Sequence, residues 1–128
     1  MTFSVNEIAK VMQTPLKLNA KAGDKIFVIT DTKIDPVLWQ GLSLASKELG
    51  MEVAVGIMEP RATHSSNPMS AIHRAALDPE LDLVVYLTST AMAHATITED
   101  LMDIQKRHLL MEELTPAMLA PDGPAGAD

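Results

Sequence analysis

The chain of 128 residues contains no cysteine, which excludes disulfides, thiolate nucleophiles and Cys-ligated zinc or iron–sulfur centres. Aromatic residues are scarce (two Phe, one Trp, one Tyr) beside nine Met, a balance that points to soft core packing rather than a cofactor box. No apolar stretch approaches the roughly 20 residues that cross a bilayer. Positive charge is in deficit, with 10 Lys and Arg against 17 Asp and Glu and a net charge of −7. The acidity is spread without long runs, which argues against nucleic acid or an anionic membrane surface as partner. Met1-Thr2-Phe3-Ser4 lacks the charged region and apolar core of a secretory signal, so a cytoplasmic location is expected.

Two motif absences narrow the chemistry further. Thr30-Asp31-Thr32-Lys33-Ile34-Asp35 holds no glycine, so backbone amides there cannot approach a pyrophosphate, and nucleotide cofactors are disfavoured. No HExxH occurs, the four histidines lack metal-site spacing, and no GxSxG elbow surrounds Ser89, which removes the usual zinc-hydrolase and serine-hydrolase signatures.

What is present is rhythm. Four short apolar runs, Lys25–Thr30, Glu52–Ile57, Leu83–Leu87 and His108–Met111, are separated by helical patterns. They read as parallel strands joined by crossover helices. The expected fold is therefore α/β: a Rossmann-like three-layer domain with a four-stranded, mainly parallel sheet and an N-terminal helix. Ser4-Val5-Asn6-Glu7 fits a capping box that starts this first helix; Val5, Ile8, Ala9 and Met12 give it an apolar face, and Pro15 is expected to end it.

Asp35-Pro36 and Asn67-Pro68 are read as start signals for the second and third helices. Gly50 stops the second, and Met69, Ile72 and Ala76 form the buried stripe of the third. Thr98 is read as the cap of a fourth helix carrying Leu101, Ile104 and Gln105 and ending near Lys106-Arg107. Thr115-Pro116 opens one more turn. Residues 1–20 form a helix and lead-in, 21–120 the α/β domain, and 121–128 a tail or the start of a second domain.

Polar, chemically capable residues gather where each run stops. Ligands of open parallel sheets bind at those carboxyl ends, so the candidate residues are drawn from there. Asp31 follows the first run, as a substrate contact or as a turn residue bonding its own backbone. The loop Met58–Asn67 carries Glu59, Arg61 and His64, a composition shared by functional and plainly solvated loops.

Thr88-Ser89-Thr90-Ala91-Met92-Ala93-His94 is the most suggestive stretch. His94 near a crevice can act as acid, base or hydrogen-bond donor; the alternative is that the hydroxyls cap a helix on which His94 lies half-exposed. His73 reads as a helix boundary residue, and His108 as structural. Glu99, Asp100 and Asp103 read as favourable charges early in a helix, and Glu112-Glu113 as strand-end solvation.

Five segments together resemble one family: Lys21–Asp31, Leu49–Val53, Asp82–Val85, Thr88–His94 and Arg107–Glu112. The chain is similar there to the N-terminal domain of the 2,5-dihydroxypyridine 5,6-dioxygenase and thermophilic-type leucyl aminopeptidase-like family. The resemblance implies a metal-dependent enzyme, foremost a non-haem iron, ring-cleaving dioxygenase acting on a dihydroxypyridine-type aromatic. A metallo-aminopeptidase and a stand-alone ligand-binding or assembly domain are the alternatives. It further implies that Fe²⁺ is held by residues outside this chain, with no metal ligand within it. His94 would act on substrate from beside the metal, with Ser89, Thr90, Asp31 and His64 lining the substrate pocket. Open edge strands and the leading amphipathic helix make a homo-oligomer a further expectation.

Overall fold

The computed structural model describes residues 3–119. Four strands, β1 (Lys25–Asp31), β2 (Glu52–Met58), β3 (Leu83–Leu87) and β4 (Arg107–Leu110), form one sheet in the order β2-β1-β3-β4, with every pairing parallel. The helices are α1 (Val5–Asn19), α2 (Pro36–Glu48), α3 (Ser70–Ala76) and α4 (Thr96–Asp103), followed by a 3₁₀ turn at Pro116–Leu119. The expected three-layer α/β architecture is the one observed.

Strand alternation sorts the core into two halves. Ile26, Val28, Leu83, Val85 and Leu87 point to one face and pack against Ile8, Met12 and Leu16 of α1 and Leu38 and Leu42 of α2. Phe27, Ile29, Val84 and Tyr86 point to the other, against Ala76 of α3 and Ile97 and Leu101 of α4. Covered on both sides, the central strands β1 and β3 are buried almost throughout, whereas β2 and β4 at the edges alternate or lie open. That contrast is what a parallel sheet under two helical layers requires.

Several local expectations hold. Ser4 Oγ accepts from Glu7 N while Ser4 N donates to Glu7, completing the capping box. Asp35 caps α2, and Gly50 takes the left-handed φ of +79° just past its end.

Others need correction. Pro15 does not end α1, which runs to Asn19. The lost amide bond is outweighed by the burial of Leu16 one residue on, and Asn19 Nδ2 donates to the Pro15 carbonyl. Asn67 does not start α3; its Oδ1 accepts from Ile97 N and so caps α4 from a distant loop. Met69, expected in the buried stripe of α3, is exposed, leaving Ala76 buried and Ile72 half-buried. Thr98 lies inside α4, not at its cap, because its hydroxyl is taken by Tyr86 and the Met92 carbonyl. The helix stops at Asp103, leaving Ile104 exposed. The segment 121–128 lies outside the described residues.

Candidate functional site

The chain leaves β1 for β2 on one side, then returns across β1 to reach β3 on the other. This reversal places the sheet's switch point between the carboxyl ends of β1 and β3, where open α/β sheets form their binding crevice. Asp31 and Ser89 meet there. Asp31, only 2% exposed, accepts through Oδ2 from both the backbone N and the Oγ of Ser89, each at 2.8 Å. Its Oδ1 accepts from Lys33 N at 3.0 Å. Asp31 thus fills its turn-residue reading through Lys33 N, and it also clamps the end of β1 to the loop after β3 through Ser89. The Ser89 hydroxyl is committed to it as donor.

The loop from Thr88 to Ala95 contains no helix; α4 begins only at Thr96. It is fixed from several sides. Thr88 Oγ1 donates to the Thr90 carbonyl at 2.7 Å. Thr98 Oγ1 donates to the Met92 carbonyl, so the Tyr86 hydroxyl is the donor in the 2.8 Å bond to Thr98. Burial pushes the Tyr86 phenol up, keeping that donor protonated.

The loop after β2 docks on the same segment. Ser65 N donates to the Ala91 carbonyl at 2.7 Å, and Ala91 N donates to His64 Nδ1 at 2.8 Å. Because Nδ1 accepts, the neutral ring carries its proton on Nε2, which faces Glu113 Oε1 at 3.4 Å. His64 therefore links three strand ends.

His94 lies exposed on a turn of this loop. Thr90 is half-buried beside it in sequence, its carbonyl held by Thr88. Of the residues singled out from sequence, the fold joins Asp31 to Ser89 and joins His64 to the loop carrying Thr90 and His94. His73 pairs with Asp100 at 2.8 Å between α3 and α4, away from the strand ends. His108 stacks on Tyr86 with ring centroids 5.9 Å apart, as its structural reading requires.

Glu112 is the residue that sequence reasoning missed. It does not merely solvate a strand end: its Oε1 is buried and has no hydrogen-bond partner among the described residues. Burial raises its pKa from the ordinary value of 4.5, and the Glu113 charge adds to the rise. The Met92 backbone and the His64 and His94 imidazoles pull the other way. A carboxyl tuned upward beside two imidazoles is a group suited to carrying a proton. The signal available in sequence was an acidic pair following an apolar strand, which does not tell a buried carboxyl from a solvated one.

A carboxyl whose folded pKa is raised stabilises the fold most when neutral, and this contribution is lost as pH rises through the folded value. Glu112→Gln is expected to raise Tm at pH 7 and to flatten the decline in Tm between pH 4.5 and 7. Thermal melts across that range check it; an unchanged pH profile would show that Glu112 is not the titrating group.

Among the described residues, no group of three or more His, Asp or Glu side chains is placed to hold a metal ion, and no helix is long and apolar enough to cross a membrane. Asp31 has both oxygens accepting from Ser89 and Lys33, and His64 has Nδ1 accepting from Ala91 N with Nε2 toward Glu113. These residues do not by themselves fit an iron centre.

No protein-family model matches the chain, and no curated protein matches it. Among solved structures, the chain is similar to the 2,5-dihydroxypyridine dioxygenase of Pseudomonas putida KT2440, with a TM-score of 0.68 at 18% identity. The match covers 87% of this chain and 35% of that one, so the chain spans about a third of the dioxygenase's length and shares its fold over that third.

Proposed function

We propose that this domain forms one wall of the substrate pocket in a cytoplasmic ring-cleaving dioxygenase of the non-haem iron type, acting on a dihydroxypyridine-like aromatic. The supporting observation is the β1/β3 switch point, where a loop held by hydrogen bonds carries Thr90 and His94, with the buried, upward-shifted carboxyl of Glu112 at the neighbouring end of β4. The fold shared with a dioxygenase agrees with it. Iron would be supplied with ligands from outside the described residues. In this reading His94 and Glu112 exchange hydrogen bonds or protons with ring hydroxyls, while Asp31, Ser89 and His64 keep the loops in register.

The test is an anaerobic titration of the chain with 2,5-dihydroxypyridine, followed by backbone amide NMR. Shifts are expected to concentrate at residues 88–95 and 112–113, and His94→Ala is expected to weaken binding about tenfold, or ~1.4 kcal/mol. Absence of binding, or binding that His94→Ala leaves untouched, would overturn the assignment.

A further inference from the structure

The loop of residues 59–69 joins β2 to α3, and its two ends are tied to different parts of the fold. At one end Thr32 N donates to the Met58 carbonyl at 3.1 Å. At the other, Asn67 Oδ1 accepts from Ile97 N at 2.9 Å, and Pro68 is buried. Between them Ala62, Thr63, His64 and Ser65 are all exposed, so no buried side chain holds the middle of the loop down. Two hydrogen bonds do, and both end on Ala91 of the loop after β3: Ser65 N donates to its carbonyl, and its N donates to His64 Nδ1. The Ser65 bond requires a left-handed φ of 65°, which a residue with a Cβ seldom takes. The remaining bonds, Thr63 Oγ1 with Ser66 Oγ and Arg61 Nε to the Asn67 carbonyl, tie the loop only to itself.

We propose that His64 is a pH-sensitive latch, closed while its imidazole is neutral and released when a proton binds Nδ1. A backbone amide can only donate, so the Ala91 bond needs the lone pair of Nδ1. The imidazolium carries hydrogens on both nitrogens, and Nδ1–H then opposes the Ala91 N–H, donor against donor. Left alone, the Ser65 bond does not hold its own residue in a strained conformation, and the middle of the loop parts from Ala91. Histidine is the side chain whose ordinary change of charge falls between about pH 5 and 8.

The charged groups around the ring do not replace the lost bond. Glu113 Oε1, 3.4 Å from Nε2, attracts the imidazolium but offers nothing to the Ala91 amide. Both of those side chains are more than half exposed, so water screens the attraction. Glu112 beside it is drawn toward its neutral form by burial, so its pull fades as pH falls. His94, on the loop after β3, repels the imidazolium when it is itself charged. On the latch's own loop Glu59 is exposed and Arg61 is turned to the Asn67 carbonyl. Asp31 is taken up by Ser89 and Lys33 N, and Asp100 of α4 by His73. Release frees Ala91, which stands between Thr90 and His94. Control of ligand access by the latch rests on the function proposed above; the latch itself does not.

Solvent-exchange NMR of the ligand-free chain at pH 8 and pH 5 tests this, with each rate corrected for its intrinsic pH dependence. Protection of the Ser65 and Ala91 amides is expected to fall at least ~10-fold at pH 5, while the Ile97 amide, capped by Asn67, keeps its protection. His64→Asn offers an acceptor oxygen in place of Nδ1 that does not titrate, and both amides are expected to stay protected at both pH values. His64→Ala is expected to expose them at both, and Glu112→Gln to leave the pH response in place. Equal protection at the two pH values in the wild-type chain would overturn the proposal. So would a loss shared by Ile97, a response that persists in His64→Asn or vanishes in Glu112→Gln, or protection that survives His64→Ala. No ligand is present, so failure here is distinct from failure of the dihydroxypyridine titration.

Discussion

Replacing Asp31 with alanine is expected to cost about 3 kcal/mol of stability and lower Tm by ~10 °C. The carboxylate receives three hydrogen bonds, from Ser89 N, Ser89 Oγ and Lys33 N, and bonds to a charged acceptor contribute about 1.5–3 kcal/mol each. Full summation would overstate the loss. Lys33 is exposed and its amide rehydrates at once, whereas Ser89 is half-buried and its two donors lose a partner that water replaces poorly.

Ser89→Ala removes only the hydroxyl bond and is expected to cost ~1 kcal/mol. Asp31→Asn keeps one acceptor oxygen and should fall between the two. Denaturant titrations of the three variants check this order. An Asp31→Ala variant as stable as Ser89→Ala would mean that the switch-point clamp is not what joins the ends of β1 and β3. The same variant bears on function, since the loop presenting His94 leaves the sheet at Ser89. Loosening it should let the loop carrying His94 shift while leaving the His94 and Glu112 side chains themselves unchanged.

The positions of the strands were legible because central parallel strands are continuous apolar runs, and Ile26–Thr30 and Leu83–Leu87 have no competing helical reading. Strand order was not legible. It depends on which side of β1 each crossover lands, and no residue in Asp35–Gly50 or Asn67–Leu81 encodes that locally. The switch point, and with it the meeting of Asp31 and Ser89, could be named only as a place.

The misreadings share one physical cause. Pro15, Asn67 and Thr98 each carry a strong local signal that a tertiary partner overrides: Leu16 seeking the core, the amide of Ile97 seeking a cap, and the hydroxyl of Tyr86 seeking an acceptor. Glu112 was missed for the related reason that burial of its carboxyl comes from tertiary packing: even the Met92 backbone that bonds it lies up to about 70 Å of extended chain away by sequence. His64 and His94 could be singled out because imidazoles in strand-end loops are rare enough to stand out; that both bear on the Glu112 carboxyl was beyond the sequence.

Gly41→Ala is the second substitution expected to act strongly, and its sign is opposite to that of helix propensity. In an isolated helix, alanine would be favoured over glycine by about 1 kcal/mol. Here Gly41 is where α2 meets α1, and an added Cβ would lie 2.4 Å from Ile8 Cγ2, 2.6 Å from Ile8 Cβ and 3.1 Å from Ala9 N. A flexible side-chain tip would swing aside, as the Ile72 Cδ1 near Gly56 can. The Ile8 Cβ cannot, because it moves only with the α1 backbone.

α1 must therefore shift away from α2, disturbing the burial of Ile8, Ala9, Met12 and Leu16 together. Overpacking of this kind costs about 1–3 kcal/mol and more when backbone moves, so a net loss near 3 kcal/mol is expected after the propensity gain. A double-mutant cycle isolates the cause. Ile8→Ala alone should cost about 2–4 kcal/mol through its cavity, but in the Gly41→Ala background the new methyl occupies part of that space, and the combined loss should fall about 2 kcal/mol short of the sum. Strict additivity would mean that α1 and α2 are not in contact at Gly41. Sub-additivity would establish that the glycine is there to let two helices touch, which fixes α1 beside the open edge of β4.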